Sequence, residues 1–150
     1  MKLNTKNKNI ELRFSTRKIV TICNLLNNKN FEKLYFSIVN ENDIDALSKI
    51  ILTFAELEDG RKAFNNADEV CDFIDDYLAE NEKTYLDIFQ EIAEAINEEG
   101  FFSKKMTKEE LTETMSNPLS SMNLNDIVKQ STEKIVTKIA EEEVFQGYKG

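Results

Sequence analysis

The side chains of this chain best suited to chemistry are carboxylates. Asp72, Asp75 and Asp76 fall within about one helical turn, with Glu69 and Glu80 a turn to either side. Such a group works as acid and base only where a cleft separates its pKa values, and an exposed helix face offers no cleft. The spacing also lacks the D-x-D-x-D-G loop of a calcium site. The chain has no His, which removes His triads, His metal sites and His proton shuttles. Cys23 and Cys71 have no C-x-x-C partner. Each falls on an apolar helix stripe and reads as a buried free thiol. Lys and Arg in residues 2–18 are able to touch phosphate, but no Gly-rich loop or P-loop accompanies them. No aromatic residues interleave with them as a single-strand platform needs. The residue types therefore point away from an enzyme, and no catalytic, metal or cofactor residue is assigned.

The carboxylates are positioned by residues 66–100, NADEVCDFIDDYLAENEKTYLDIFQEIAEAINEEG, which read as two consecutive amphipathic helices. Ala67, Val70, Cys71, Ile74, Tyr77 and Leu78 line one face of the first. Tyr85, Leu86, Phe89, Ile92, Ala93 and Ile96 do so in the second. Asn66 is placed to cap the first helix, with Glu69 completing a capping box, and Gly100 stands where a left-handed stop belongs.

Charge is unevenly spread. The chain carries a net charge of −9. Residues 1–35 hold eight basic and two acidic side chains, a net +6, and residues 56–99 hold fifteen acidic and three basic, a net −12. The acidic centre excludes phosphate binding, which needs Lys or Arg. It reads as a solvated face or as a surface for a partner. With no signal peptide and no apolar run long enough to span a bilayer, a cytoplasmic protein with no membrane partner is expected.

A chain of 150 residues has one domain's length. One Pro and four Gly favour long helices over a turn-rich β fold. The opening KLNTKNKNIELRF alternates with period two on both sides of a polar turn, which predicts a β-hairpin with Asn7 or Asn9 at positive φ. A lone hairpin is marginal, so its Ile10, Leu12 and Phe14 face must pack on helices. Ser15 or Thr16 caps a helix to about residue 27, with Ile19, Val20, Ile22, Cys23 and Leu26 inward. Residues 31–39 follow helical steps, with a strand as the alternative. Asn42 or Asp43 caps a helix over 44–57 whose wide apolar arc marks it as the most buried. Thr107 and Glu110 form a capping box for a short helix to about residue 115. Pro118 breaks the chain, and Leu124, Ile127, Val128, Ile135 and Ile139 form a thin stripe of a last helix. The expected class is mainly α (α+β), an N-terminal β-hairpin packed on a bundle of about five to six helices. The expected organisation is hairpin plus helical core over 1–102, short helix and linker over 103–117, and a peripheral C-terminal helix and tail over 118–150.

Phe101 and Phe102 follow the predicted stop at Gly100. Either one or both fold back against the last helix, or they form part of an exposed apolar patch for a partner. With Leu124, Ile127, Val128, Ile135, Ile139 and Phe145 they make up the candidate partner-binding residues.

The opening KLNTKNKNIELRFSTRKIVTI, followed by the NADEVCDFIDDYLAE and LDIFQEIAEAINEEGFF helices, resembles the tail assembly chaperones of long-tailed phages and prophages of Gram-positive bacteria. The likeness covers residues 1–102 and is one of layout and hydrophobic pattern. It implies a non-enzymatic helper that binds the tail tube protein and the tape measure protein during tail morphogenesis. It also implies a cytoplasmic protein of the host cell that is absent from the mature virion. No nucleic-acid or small-molecule partner is implied. The competing class is an acidic regulator or DNA mimic, in which the acidic segment occupies a nucleic-acid-binding protein.

Overall fold

The structure is a computed structural model of the chain and describes residues 1–116. Its elements run β1 (Lys2–Asn4), β2 (Asn9–Leu12), α1 (Thr16–Leu25), α2 (Phe31–Glu41), α3 (Ile44–Phe54), β3 (Ala55–Glu56), α4 (Ala67–Asn81), α5 (Tyr85–Glu98) and α6 (Lys108–Ser116). A small antiparallel sheet, ordered β1-β2-β3, packs on the helices, which is the expected architecture with one strand added. The predicted helix and tail over 118–150 lie outside the described residues.

β1 and β2 pair as Lys2 with Glu11, Leu3 with Ile10 and Asn4 with Asn9. Period two then turns Leu3, Thr5, Ile10, Leu12 and Phe14 inward, and all five are buried. The turn does not use the positive φ expected of Asn7 or Asn9. Instead the Thr5 hydroxyl accepts from the backbone N–H groups of Asn7 and Lys8 at 3.3 and 3.0 Å and donates to the Lys8 carbonyl. A side chain closes the turn, so no residue has to adopt the left-handed region.

α3 is the centre of the core. Leu47, Ile50, Ile51 and Phe54 are all 0% exposed, as the wide apolar arc predicts. The helix stops at Phe54, short of the expected residue 57. Ala55 turns extended, at φ −77° and ψ 131°, and β3 joins the sheet with Leu12 opposite Ala55 and Glu11 opposite Glu56. The Phe54 carbonyl, freed at the helix end, accepts from Arg13 N at 3.0 Å and from Lys18 Nζ at 3.3 Å. Glu11 and Glu56 face each other across the strands, a like-charge pair that costs stability alone. Arg13 lies 3.0 Å from Glu11 and 3.6 Å from Glu56, and Lys18 lies 2.5 Å from Glu56. The two cations offset the repulsion.

Caps explain the helix boundaries. Ser15, Asn30, Asp43, Asn66 and Thr84 each accept a backbone N–H three residues on. At α4 the reciprocal bond of the predicted capping box shifts by one residue, since Glu69 accepts from Asn65 N at 2.9 Å. Full boxes stand at Thr84 with Asp87 and at Thr107 with Glu110. Four helices end on a left-handed residue: Asn27, Asn42, Glu82 and Gly100. In each the next N–H reaches back to the last turn, as in Phe101 N to Ile96 O at 3.1 Å.

Three predicted inward residues turn outward. Val20 is 52% exposed and Leu86 57%, and Cys71 is exposed whereas Cys23 is buried. Phe73 and Ile88 take the inward positions on α4 and α5 instead. Each swap keeps the three- and four-residue periodicity and buries a larger or better placed apolar side chain. α6 packs Leu111 and Met115 toward α2 and α5, so the core continues past residue 102 to Met115.

Glu82 is the one left-handed cap that is neither Gly nor Asn. A Cβ there costs about 1 kcal/mol. Glu82→Gly should therefore raise the unfolding free energy by about 1 kcal/mol in urea melts. A loss of stability would contradict the assigned backbone conformation.

Candidate functional site: an acidic helical face beside an aromatic seat

α4 carries the carboxylates identified first. Asp68, Asp72 and Asp75 are exposed at four- and three-residue steps, while Asp76 is half-buried. Two of the others tie the fold together. Glu80 Oε1 accepts from Lys6 N in the hairpin turn at 2.9 Å. Glu69, held to Asn65, has its carboxyl below the usual range, mainly through that backbone hydrogen bond and partly through the charge of Lys8. Lys8 lies 4.6 Å above the Phe64 ring. Lys8, Asn65, Glu69, Asp72 and Asp76 thus edge a shallow hollow between the turn and α4. Among the described residues, no group of three His, Cys, Asp or Glu side chains is arranged to hold a metal ion.

The α4–α5 junction holds a polar cluster that the sequence reading did not find. Tyr77 is buried and donates to Glu91 Oε1 at 2.9 Å. Lys83 donates to Glu91 Oε2 and, at 3.2 Å, to the Tyr77 hydroxyl. The signal is the triple Tyr77, Lys83 and Glu91 placed across a predicted helix break, where a phenol, a cation and a carboxylate meet. Burial pushes the Tyr77 phenol up, and its hydrogen bond to Glu91 holds Lys83 up. Tyr35 is fully buried, donates to Phe89 O at 2.5 Å and is pushed well up by burial.

Phe101 and Phe102 do not form an exposed patch. Phe102 is 6% exposed and sits 5.0 Å from the Phe36 ring, 6.2 Å from Tyr35 and 6.4 Å from Phe31. Phe101 is half-buried against the same core. Gly100, at φ +83°, reverses the chain and aims Phe102 back onto α2. Two tethers fix the loop. Ser103 N and Oγ donate to Glu32 Oε1 at 2.7 and 2.8 Å. The Asn97 amide donates to Met106 O at 3.0 Å and accepts from Met106 N at 2.9 Å. Leu124, Ile127, Val128, Ile135, Ile139 and Phe145 lie outside the described residues. Among the described residues, the exposed large apolar side chains are Val20 and Leu25 on α1 and Leu86 on α5. No helix among them is long and apolar enough to cross a membrane.

The chain matches no protein-family model, no curated protein and no solved structure.

Two outcomes follow from this geometry. Phe102→Ala should cost about 3–5 kcal/mol, and Phe101→Ala clearly less, when both are measured by chemical denaturation. Equal small losses would place Phe102 outside the core. The second concerns alkaline pH. Tyr77, Lys83 and Tyr35 all have folded-state pKa values above their unfolded ones. Their contribution is therefore complete below the ordinary values of 10.0 and 10.5 and is lost as pH rises further. Tyr77→Phe should shrink the fall in melting temperature between about pH 9 and about pH 11. An unchanged fall would mean that this cluster does not couple titration to folding.

Proposed function

We propose that this chain is a non-enzymatic tail assembly chaperone of a long-tailed phage or prophage. In this reading it binds and keeps soluble the tail tube protein, the tape measure protein or both, in the host cytoplasm, and leaves before the virion is complete. The observation that carries the reading is the layout over residues 1–102. A hairpin enters directly into a helix, its apolar face lies on a helical core, and two acidic helices follow. That is the arrangement on which the resemblance rests. The exposed Val20, Leu25 and Leu86 add apolar contact points at the surface. Phe102 is part of the core and offers no exposed ring to a client.

A second reading is favoured by one feature. Asp68, Asp72 and Asp75 form an exposed acidic row on α4, as an acidic regulator or DNA mimic would present to a nucleic-acid-binding protein. The two readings differ in salt response. Charge-led binding weakens steeply with salt, and apolar binding does not.

Co-expression with the tail tube and tape measure proteins of the same phage should shift at least one of them from the insoluble to the soluble fraction. That client should then co-elute with this chain in size-exclusion chromatography. Clients that stay insoluble, with this chain eluting by itself, would remove the tail-assembly reading.

A further inference from the structure

The turn after β3 carries a reactive backbone sequence. Asp59 is the sole Asp of the chain followed by Gly, and no Asn is followed by Gly. In such a pair the nitrogen of the second residue can attack the side-chain carboxyl of the first. Glycine has no Cβ to obstruct the approach. Asp59 and Gly60 are both exposed. Gly60 stands at φ +88°, with open space where a Cβ would point. The same turn opposes the attack. Gly60 N donates to Leu57 O at 2.9 Å, closing a β-turn, and Leu57 N donates to Arg61 O at 2.7 Å. Arg61 holds both carboxylate oxygens of Asp59. Its backbone N donates to Oδ1 at 3.0 Å and its Nε to Oδ2 at 2.6 Å. These bonds keep the Asp59 carboxyl below the usual range, the backbone N–H of Arg61 first and its guanidinium second. An ionised carboxylate is a poor electrophile, because only the protonated carboxyl can release its oxygen as water.

We propose that Asp59 is this chain's site of spontaneous aspartate isomerisation, and that Arg61 and the Leu57–Gly60 turn restrain the reaction while the chain is folded. In the first step Gly60 N bonds to Asp59 Cγ. The carboxyl hydroxyl leaves with the Gly60 amide proton as one water, and a succinimide forms. In the second step one water adds back. Addition at Cγ restores Asp59. Addition at the Asp59 backbone carbonyl carbon, with cleavage of its bond to Gly60 N, gives isoaspartate. Water is lost once and gained once, and nothing is oxidised or reduced. The chain of the product runs through Cβ and Cγ of residue 59, one backbone atom longer than before. That atom falls inside the turn that brings Lys62 opposite Glu56 and Ala63 N to Ala55 O at 3.3 Å. The lengthened turn no longer closes in register, and β3 loses the cover on its outer edge. The inference does not depend on the proposed function.

The test is incubation of the full chain at about pH 6, where a small share of an ordinary Asp carboxyl is protonated. One sample is folded in buffer and one is unfolded in about 8 M urea. Tryptic peptides are then mapped by electron-transfer fragmentation, which separates Asp from isoaspartate of equal mass. Wild type should form isoaspartate at residue 59 at least about fivefold more slowly when folded than when unfolded, since the turn must first open. Arg61→Ala removes the guanidinium and keeps the backbone N–H. Folded, it should react about two- to fivefold faster than wild type, and in urea at the wild-type rate. If circular dichroism shows Arg61→Ala unfolded in buffer, Arg61→Gln replaces it under the same criterion. Equal folded and unfolded rates in wild type overturn the proposal. So does a folded variant no faster than wild type, or isoaspartate that forms chiefly at another position.

Discussion

α3 has to be buried on all sides at once, and the remaining elements are arranged to do it. Four of its side chains reach zero exposure, which no single neighbour can provide. α1 and α2 pack against it, α4 lies along another side, and β2 approaches where the helix ends. The end itself is informative. Phe54 sits 4.9 Å from Phe14 of the hairpin exit and 6.4 Å from Phe31 of α2, so one ring joins the sheet to two helices. The next residue turns extended and becomes a strand partner of Leu12. A hairpin too small to stand alone is stabilised because helix and strand are continuous in the chain at that point.

The periphery follows from what α3 leaves over. α4 and α5 bury narrow stripes and present carboxylates outward, as a helix with a limited apolar arc must. Opposite charge holds the edges to one another. The charge of Lys8 in the hairpin turn acts on Glu69 of α4, Lys18 and Arg13 settle Glu56 and Glu11, and the Lys6 backbone N–H adds a neutral donor to Glu80. The N-terminal positive excess is thus partly spent inside the molecule. Such partly exposed pairs contribute at most about 1 kcal/mol each, so they set register and docking angle more than stability. α1 and α6 bury two side chains each, the fewest among the described helices.

Much of this was legible from residue order, and the failures have physical causes. Period two around a polar turn identified the hairpin, and side chains at helix starts identified Asn66 and Thr107. The third strand was hidden because Ala55 and Glu56 continue a helical pattern without interruption. Only the approach of Leu12, a long-range pairing, makes them extended. On α4 and α5 the face was misjudged by a small rotation. Val70, Ile74 and Tyr77 sit comfortably with either Cys71 or Phe73, and periodicity does not choose between neighbours that packing separates. The closing cap at Gly100 was legible, but its consequence for Phe102 was not. Which of two adjacent rings a reversed chain carries inward depends on the aromatic cluster of α2 waiting for it. Asp72 and Asp75 lie on the surface as an acidic helix face implies, whereas Asp76 is half-buried and Glu69 and Glu80 are engaged by Asn65 and the hairpin turn. The Tyr77, Lys83 and Glu91 cluster was missed because its members come together only once α4 and α5 have packed.

The most direct test of α3 as the anchor is amide hydrogen exchange across the full chain under native conditions. The slowest amides should fall in Leu47–Phe54 and in Ile10–Leu12, opening only with global unfolding, while those of α4 and α5 exchange sooner. Amides of α4 or α5 that outlast those of α3 would contradict the account. They would place the organising core in the acidic helix pair instead.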